Sequence, residues 1–382
     1  MDLTIPQELR LLQESAGEFV RRELVPLEAQ VEEEDEIAPA TMRRLRKRAV
    51  ELGFYGFNLP TELGGGGVGP LGQSLVGEEL GRTTMALGEA FGRLSQSLSF
   101  CRGEQVDWLL KPALQADVTV CNALTEPGAG SDLGGLTTRA HREGNRWRLH
   151  GAKQFISNAE SCDYLLVLAV TDPAASLTRR FTTFVVDRQD PGLHMMPRFK
   201  KMGWRGYPIS SFALDDCLLD DRRVLGEVNG GFTTTMASVN TTRLFLAAKC
   251  VGTAHELIRL SREYAGQRQT FGRMLAEHQA IQFKLADMDV ELEAARWLVM
   301  AGAWKGETGQ RDFRIAASRA KLYASEMVGR AADAAMVVFG GSGYMSDLPI
   351  ERIYRDSRAF RIGEGTSEMQ RIQIARHVMS GA

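Results

Sequence analysis

In the last third of the chain, apolar residues recur at the spacing of one helix face. Ile281, Leu285, Met288, Leu292, Ala295 and Val299 follow at steps of four and three, and Tyr323, Met327, Ala331, Ala334 and Val338 form a second stripe. These stripes predict long helices after Gly230-Gly231, packed on a common core and suited to subunit association. The first 115 or so residues also read as helical: Pro6 fits a helix first turn, and Gln7 to Leu27 is rich in helix formers. Leu59-Pro60-Thr61-Glu62-Leu63 followed by Gly64 to Gly67 breaks this pattern and reads as a flexible loop, before helical composition resumes over Gly72 to Leu80. Between about Val118 and Leu225 the period shortens. Runs rich in aromatic and β-branched residues (Arg146 to His150, Tyr164 to Val170, Phe181 to Val186, Ser211 to Leu214) alternate with turn signals such as Asp172-Pro173 and Asp190-Pro191-Gly192. Strands so spaced predict a small β-barrel or sandwich. The expected order is a helical segment over 1–117, a β segment over 118–227 and a helical segment over 228–382.

Composition narrows the partners. The chain has 382 residues, 25% of them charged, and a net charge of -2, which lacks the basic excess of a nucleic-acid binder. The basic run Met42 to Arg48 lies beside the acidic run Glu32 to Glu36 and reads as a solvated helix face. Cys101, Cys121, Cys162, Cys217 and Cys250 form no Cys-x-x-Cys pair and have no histidines at zinc spacing, so buried, reduced thiols are expected. The start, Met1 to Pro6, has neither the basic residues nor the apolar stretch of a signal peptide. No apolar run approaches the roughly 20 residues of a membrane span. A soluble cytoplasmic protein is expected, with neither nucleic acid nor membrane as a partner.

The motifs of serine hydrolases, zinc proteases and P-loop proteins are absent, and no strand leads into Gly-x-Gly-x-x-Gly. Three glycine-containing stretches remain. In Leu124-Thr125-Glu126-Pro127-Gly128-Ala129-Gly130-Ser131-Asp132 the backbone can turn sharply and present N–H groups, with Thr125 and Ser131 adding hydroxyls. Such a loop either cradles a pyrophosphate or is a plain β-turn. Phe339-Gly340-Gly341-Ser342-Gly343-Tyr344 has the composition of a helix stop. In Arg361-Ile362-Gly363-Glu364-Gly365-Thr366-Ser367-Glu368 a lone carboxylate stands between two glycines that let a ligand approach closely. Thr366 is an N-cap candidate with Glu368 in the first turn, so this stretch also reads as a simple cap.

Together these stretches resemble the acyl-CoA dehydrogenase family, over nearly the whole chain. Thr125 to Asp132 looks like the family's first signature; Gln267-Arg268-Gln269-Thr270-Phe271-Gly272 with Glu277-His278-Gln279, Phe339 to Gly343 and Gly363 to Glu368 complete the set in order. The resemblance implies a helical N-terminal domain, a middle β-barrel, a C-terminal four-helix bundle, one FAD per subunit and a homotetramer built as a dimer of dimers. It implies flavin contacts at Leu124, Thr125, Gly130, Ser131, Phe155, Ile156 and Ser157. Arg268, Thr270, Phe271, His278 and Gln279 would reach the FAD of a neighbouring subunit, with Gly340, Gly341, Thr366 and Glu368 as further contacts. Ser131, Asn240, Arg243, Gly365 and Arg376 match positions near the CoA thioester. Glu364 matches the catalytic base, which takes the α-proton while the β-hydrogen leaves as hydride to flavin N5, giving a trans-2-enoyl-CoA. Its pKa is expected to rise on burial. Reoxidation would come from an electron-transferring flavoprotein. Relatives that carry the base on the long helix after the β-domain have it where this chain has Thr242, which cannot act as one.

Some positions depart from the family pattern. Gly363 replaces an aromatic residue and opens space beside the substrate α-carbon, Phe155 replaces a tryptophan, Val337 a glutamine and Asn240 an aspartate. The pocket floor is expected near Glu89 to Ser97, with Arg93 facing solvent or an acidic tail, solvent being the expectation. Gly88 stands where glutaryl-CoA dehydrogenases carry a carboxylate-binding arginine, which weakens a glutaryl-CoA dehydrogenase reading. Glu364 argues against a flavin monooxygenase. An acyl-CoA oxidase and a non-catalytic scaffold are the remaining alternatives.

Overall fold

The computed structural model describes residues 4–381. Six helices open the chain: α1 Gln7–Phe19, α2 Glu28–Glu34, α3 Pro39–Glu51, α4 Pro70–Leu80 and the short α5 Met85–Gly88 and α6 Lys111–Leu114. Their core is aromatic, with Phe54 stacked on Phe91 at 4.4 Å and the edges of Phe19 and Phe57 against Phe91. The glycine run after Leu63 is not a flexible loop. A Cβ at Gly65 would lie 2.3 Å from the Leu59 carbonyl oxygen, and Gly67 N–H and Val68 N–H donate to Leu59 and Phe57. Glycine is required there because backbone packs on backbone.

Eight strands follow: β1 Val120–Ala123, β2 Arg139–Glu143, β3 Arg146–Ser157, β4 Tyr164–Val170, β5 Phe181–Asp187, β6 Leu193–Met195, β7 Ile209–Asp220 and β8 Val224–Leu225. They form one sheet in the order β6-β7-β3-β2-β4-β5-β8, with β1 beside β4. β3 and β5 are three places apart in that order, about 14 Å in a flat sheet at ~4.8 Å per strand. Yet Trp147 of β3 and Phe184 of β5 meet with ring centres 5.4 Å apart. The sheet therefore curls around one interior, which Leu149, Leu165, Phe212 and Leu214 fill from several strands. The register of β3 against β7 slips by one residue between Lys153 and Ile156, a β-bulge at the cleft end of the strand.

The remainder is helical apart from the small hairpin β9 Gln269–Thr270 and β10 Arg273–Met274. Helices α7 Gly231–Met236, α8 Val239–Gln267, α9 Gln279–Glu307, α10 Phe313–Phe339, α11 Gly341–Tyr344, α12 Ile350–Ser357 and α13 Ser367–Met379 complete the chain. Both predicted stripes face the bundle core: Met288, Leu292, Ala295, Val299, Met327, Ala331 and Val338 are buried, with Ile281, Leu285, Tyr323 and Ala334 at its margin. α4 lies against α8 so closely that a Cβ at Gly252 would sit 1.8 Å from the Glu78 carbonyl oxygen. This contact locks the first helices onto the bundle. The Arg43, Arg44, Lys47 and Arg48 side chains lie on the exposed face of α3, as the charge pattern predicts. All five cysteines are buried and free. No helix among the described residues is long and apolar enough to cross a membrane.

Candidate active site

Glu364 and Gly365 are both left-handed, with φ of 57° and 86°. A glutamate pays roughly 1 kcal/mol or more for that conformation and keeps it only if its surroundings impose it. Here three helices do so. Arg243 Nε of α8 donates to the Glu364 carbonyl at 3.4 Å, Lys321 Nζ of α10 donates to the Gly365 carbonyl at 2.8 Å, and Gln370 Nε2 of α13 donates to the same two carbonyls at 3.4 and 2.9 Å. Thr366 caps α13, its hydroxyl accepting from Met369 N–H at 3.3 Å, as the sequence predicts. Lys321 and Gln370 are fully buried and Arg243 nearly so.

The Glu364 side chain is reachable by water, yet the protein around it is dense, because it lines a cleft rather than an outer surface. Burial pushes its carboxyl above the usual range, while the charges of Arg93, Arg243 and Lys321 draw it back. The same burial lowers Lys321 to about 8 and Arg93 to about 10. A carboxylate so placed is a base whose proton affinity has been raised.

The signature loop is held by a buried ion pair. Lys153 Nζ donates to Glu126 Oε1 at 2.8 Å and to the Leu124 carbonyl at 2.9 Å. Glu126 also accepts from Thr137 N–H at 2.7 Å, Thr137 Oγ1 at 2.8 Å and Thr138 N–H at 3.0 Å. Burial alone would raise the Glu126 carboxyl; Lys153 and these donors outweigh it and hold it at about 2. Lys153, with fewer partners, is pushed down to about 8 by burial against the pull of Glu126. The carboxylate is the better solvated of the two by protein groups, so the pair is ionic at neutral pH. Leu124 and Thr125 are thereby fixed, while Gly130 and Ser131 are exposed at the loop tip.

At the β3 bulge Phe155 takes a left-handed φ of 56° and turns outward, 58% exposed, with its ring 5.0 Å from Phe199. Ile156 points the other way, into the sheet interior, so only its backbone can serve the cleft. The Ser157 hydroxyl lies beside that of Tyr207, a buried phenol near enough to Glu89 and Glu364 to feel their charge. An exposed aromatic ring beside an exposed, donor-bearing loop fits a flat ring system carrying a phosphate tail.

A second group lies elsewhere, at the far end of the bundle. Tyr264 near the end of α8 stacks on Phe339 at the end of α10, at 4.2 Å, bringing the β9–β10 hairpin beside Gly340 and Gly341. His278 bridges the hairpin through Thr270 O at 3.1 Å and Arg273 at 3.2 Å. Arg268, Gln279, Gly340 and Gly341 are exposed, and Phe271 is 96% exposed with a left-handed φ of 50°. Asn240 and Gly365 lie half-buried, whereas Glu368 and Arg376 are exposed on α13.

Sequence reasoning missed Lys321, Gln370, Lys153 and Tyr207. It also set Arg93 toward solvent. Instead Arg93 is enclosed, with Nη1 donating to Thr242 Oγ1 at 3.2 Å, Nη2 to Thr241 Oγ1 at 3.4 Å and Nε to Gln73 Oε1 at 3.3 Å. It stacks 4.9 Å from the centre of the Phe245 ring. At Gly363, a Cβ would meet only the Ala359 carbonyl oxygen, at 3.7 Å, so the space expected there is present.

Models of three domains match in order along the chain: acyl-CoA dehydrogenase N-terminal domain over residues 6–100, middle domain over 121–217 and C-terminal domain over 229–379. The chain belongs to the acyl-CoA dehydrogenase family, an enzyme family of flavoproteins. It is 35% identical to a 3-(aryl)acrylate reductase of Clostridium sporogenes, covering 98% of this chain and 99% of that protein. It is 34% identical to an (R)-benzylsuccinyl-CoA dehydrogenase of Thauera aromatica, covering 100% and 97%. Among solved structures, a chain from a study of the electron transferring flavoprotein of Acidaminococcus fermentans superposes with a TM-score of 0.91 at 28% identity, covering 99% of each chain.

Proposed function

We propose that this protein removes the α and β hydrogens of an acyl-CoA thioester to give a trans-2-enoyl-CoA, with Glu364 as the base. The observation that carries the reading is the mounting of Glu364: a left-handed turn whose two carbonyls are fixed by donors from three helices, with its carboxylate in dense protein under the charges of Arg93, Arg243 and Lys321. Its raised proton affinity suits it to accept the weakly acidic α-proton. Bound FAD would supply the hydride acceptor for the β-hydrogen. Leu124, Thr125, Gly130, Ser131, Phe155, Ile156, Ser157, Thr366 and Glu368 would hold its flavin side. Ser131, Asn240, Arg243, Gly365 and Arg376 would face the CoA thioester. Thr242, held by Arg93, has no basic group to offer.

The exposed hairpin and Gly340-Gly341 would contact the cofactor of a neighbouring subunit. Helix α9 supports assembly independently: Phe283, Val290, Trp297 and Trp304 recur every seven residues and are all exposed, an apolar seam on its outer face. A homotetramer with an electron-transferring flavoprotein as electron acceptor is the assembly we infer, working in the cytoplasm, where five unpaired thiols are stable. In this reading the three domains meet at 117/118 and 227/228.

The test is anaerobic mixing of the FAD-loaded protein with a panel of acyl-CoAs. Bleaching of the flavin by one class, slowed by about 10²–10⁴-fold in Glu364→Gln, is expected. A Glu364→Gln protein that bleaches normally would refute the assignment. Rapid oxygen consumption with substrate would turn the reading to an oxidase.

A further inference from the structure

Taking the thioester reading as its starting point, the pocket carries more positive charge than an uncharged acyl chain needs. Arg93, Lys249, Arg243 and Lys321 are enclosed around the cleft; Glu89 and Glu364 act on them from within it, and the exposed Glu368 of α13 acts on Lys321 alone. Arg93 feels both only at a distance and hydrogen-bonds to neither. Its three bonds all go to neutral acceptors, Gln73, Thr241 and Thr242. A guanidinium has five N–H donors, so these bonds leave one on Nη1 and one on Nη2 unused. Lys249 Nζ lies 5.2 Å from the centre of the Phe245 ring that Arg93 also covers, and its one close polar contact among the described residues is Met85 Sδ at 3.3 Å. The buried Glu78 and Glu79 do not relieve this excess, because they are engaged by Arg296, Arg82 and Gln13 on the other side of α4.

Thr242 adjoins Arg243, which holds the Glu364 carbonyl, so Arg93 sits at the wall of the pocket that the acyl chain must pass. An alkyl chain packed there would strip the remaining water from the guanidinium and give no counter-charge. A carboxylate would take both free N–H donors in a bidentate pair. We propose that Arg93, backed by Lys249, binds a carboxylate borne on the acyl chain, so that the preferred substrate is the CoA thioester of a dicarboxylic acid. Gly88 contributes by omission: a Cβ there would lie 3.6 Å from Lys249 Nζ, and a longer side chain would crowd that ammonium.

The test separates binding from chemistry. CoA thioethers, which cannot be dehydrogenated, are titrated calorimetrically into the FAD-loaded holoenzyme as matched pairs of equal chain length, one ending in methyl and one in carboxylate. At one or more lengths the carboxylate member is expected to bind at least about tenfold tighter, a difference of about 1.4 kcal/mol. Arg93→Met should abolish the difference and Arg93→Lys should keep part of it. If the methyl member binds as well or better at every length in the unmodified protein, the proposal is overturned. Failure of the dehydrogenase reading is a separate result: a flavin that no thioester bleaches, read on the same preparation.

Discussion

Replacing Lys153 by methionine tests how the signature loop is built. The substitution keeps the length of the side chain but leaves Glu126 as a buried carboxylate and the Leu124 carbonyl without its donor. Breaking a buried pair by removing one partner costs about 3–5 kcal/mol. Glu126 would keep its bonds from Thr137 and Thr138, which places the expected cost near the lower end, about 3 kcal/mol. At about 4 °C per kcal/mol for a unit near 100 residues, the β segment should melt about 12 °C lower if it melts alone. Flavin fluorescence and far-ultraviolet circular dichroism during a thermal scan would follow loop and fold together, with FAD release preceding loss of helix. The double variant Lys153→Met/Glu126→Gln removes the stranded charge and should recover much of the loss. A single variant melting within a degree or two of the parent, or a double variant no better than the single, would refute the ion-pair account.

The remaining expectations concern the cleft and the surface. As the proposed base Glu364 would work ionised, and burial raises its proton affinity, so kcat/KM for flavin reduction should rise with pH through a midpoint above the ordinary carboxylate value of 4.5; a midpoint at or below it would contradict the desolvation argument. The same shift means that the stability contributed by the neutral carboxyl is lost as pH rises through that midpoint, so Glu364→Gln should melt higher than the parent at neutral and alkaline pH, seen by differential scanning fluorimetry. Gly363→Tyr should fill the open space beside the loop and slow 2-methyl acyl-CoAs by about tenfold or more relative to straight chains; equal slowing of both would show that the space is not used. Trp297→Glu, in the middle of the exposed α9 seam, should shift the mass in light scattering toward smaller species without unfolding the subunit, and an unchanged mass would remove that seam from the interface.

Much of the fold could be read from periodicity, because helix and strand faces repeat within a few residues. The stripes on α9 and α10 and the run Tyr164–Val170 needed only local patterns. The Thr366 cap was legible for the same reason. Other features depend on neighbours distant in sequence. Gly65 looks like flexible loop until Leu59 is known to press on it. Lys321 and Gln370 have ordinary helix composition, and only the crossing of α10 and α13 with residues 364–365 gives them a task. Arg93 reads as a surface residue until α8 closes over it. Lys153 did leave a signal: it continues the inward alternation Trp147, Leu149, so a charge at that register had to be paired inside the sheet.

The left-handed turn at Glu364 is clamped by α8, α10 and α13 at once. One residue inserted in α10 ahead of Lys321 would rotate that lysine about 100° away from the turn. A change in the length of α10 ahead of Lys321 would therefore undo the turn, whereas the open space beside Gly363 hangs on no such clamp. A point substitution at Gly363 can thus reshape the space beside the turn while the geometry of Glu364 stays fixed.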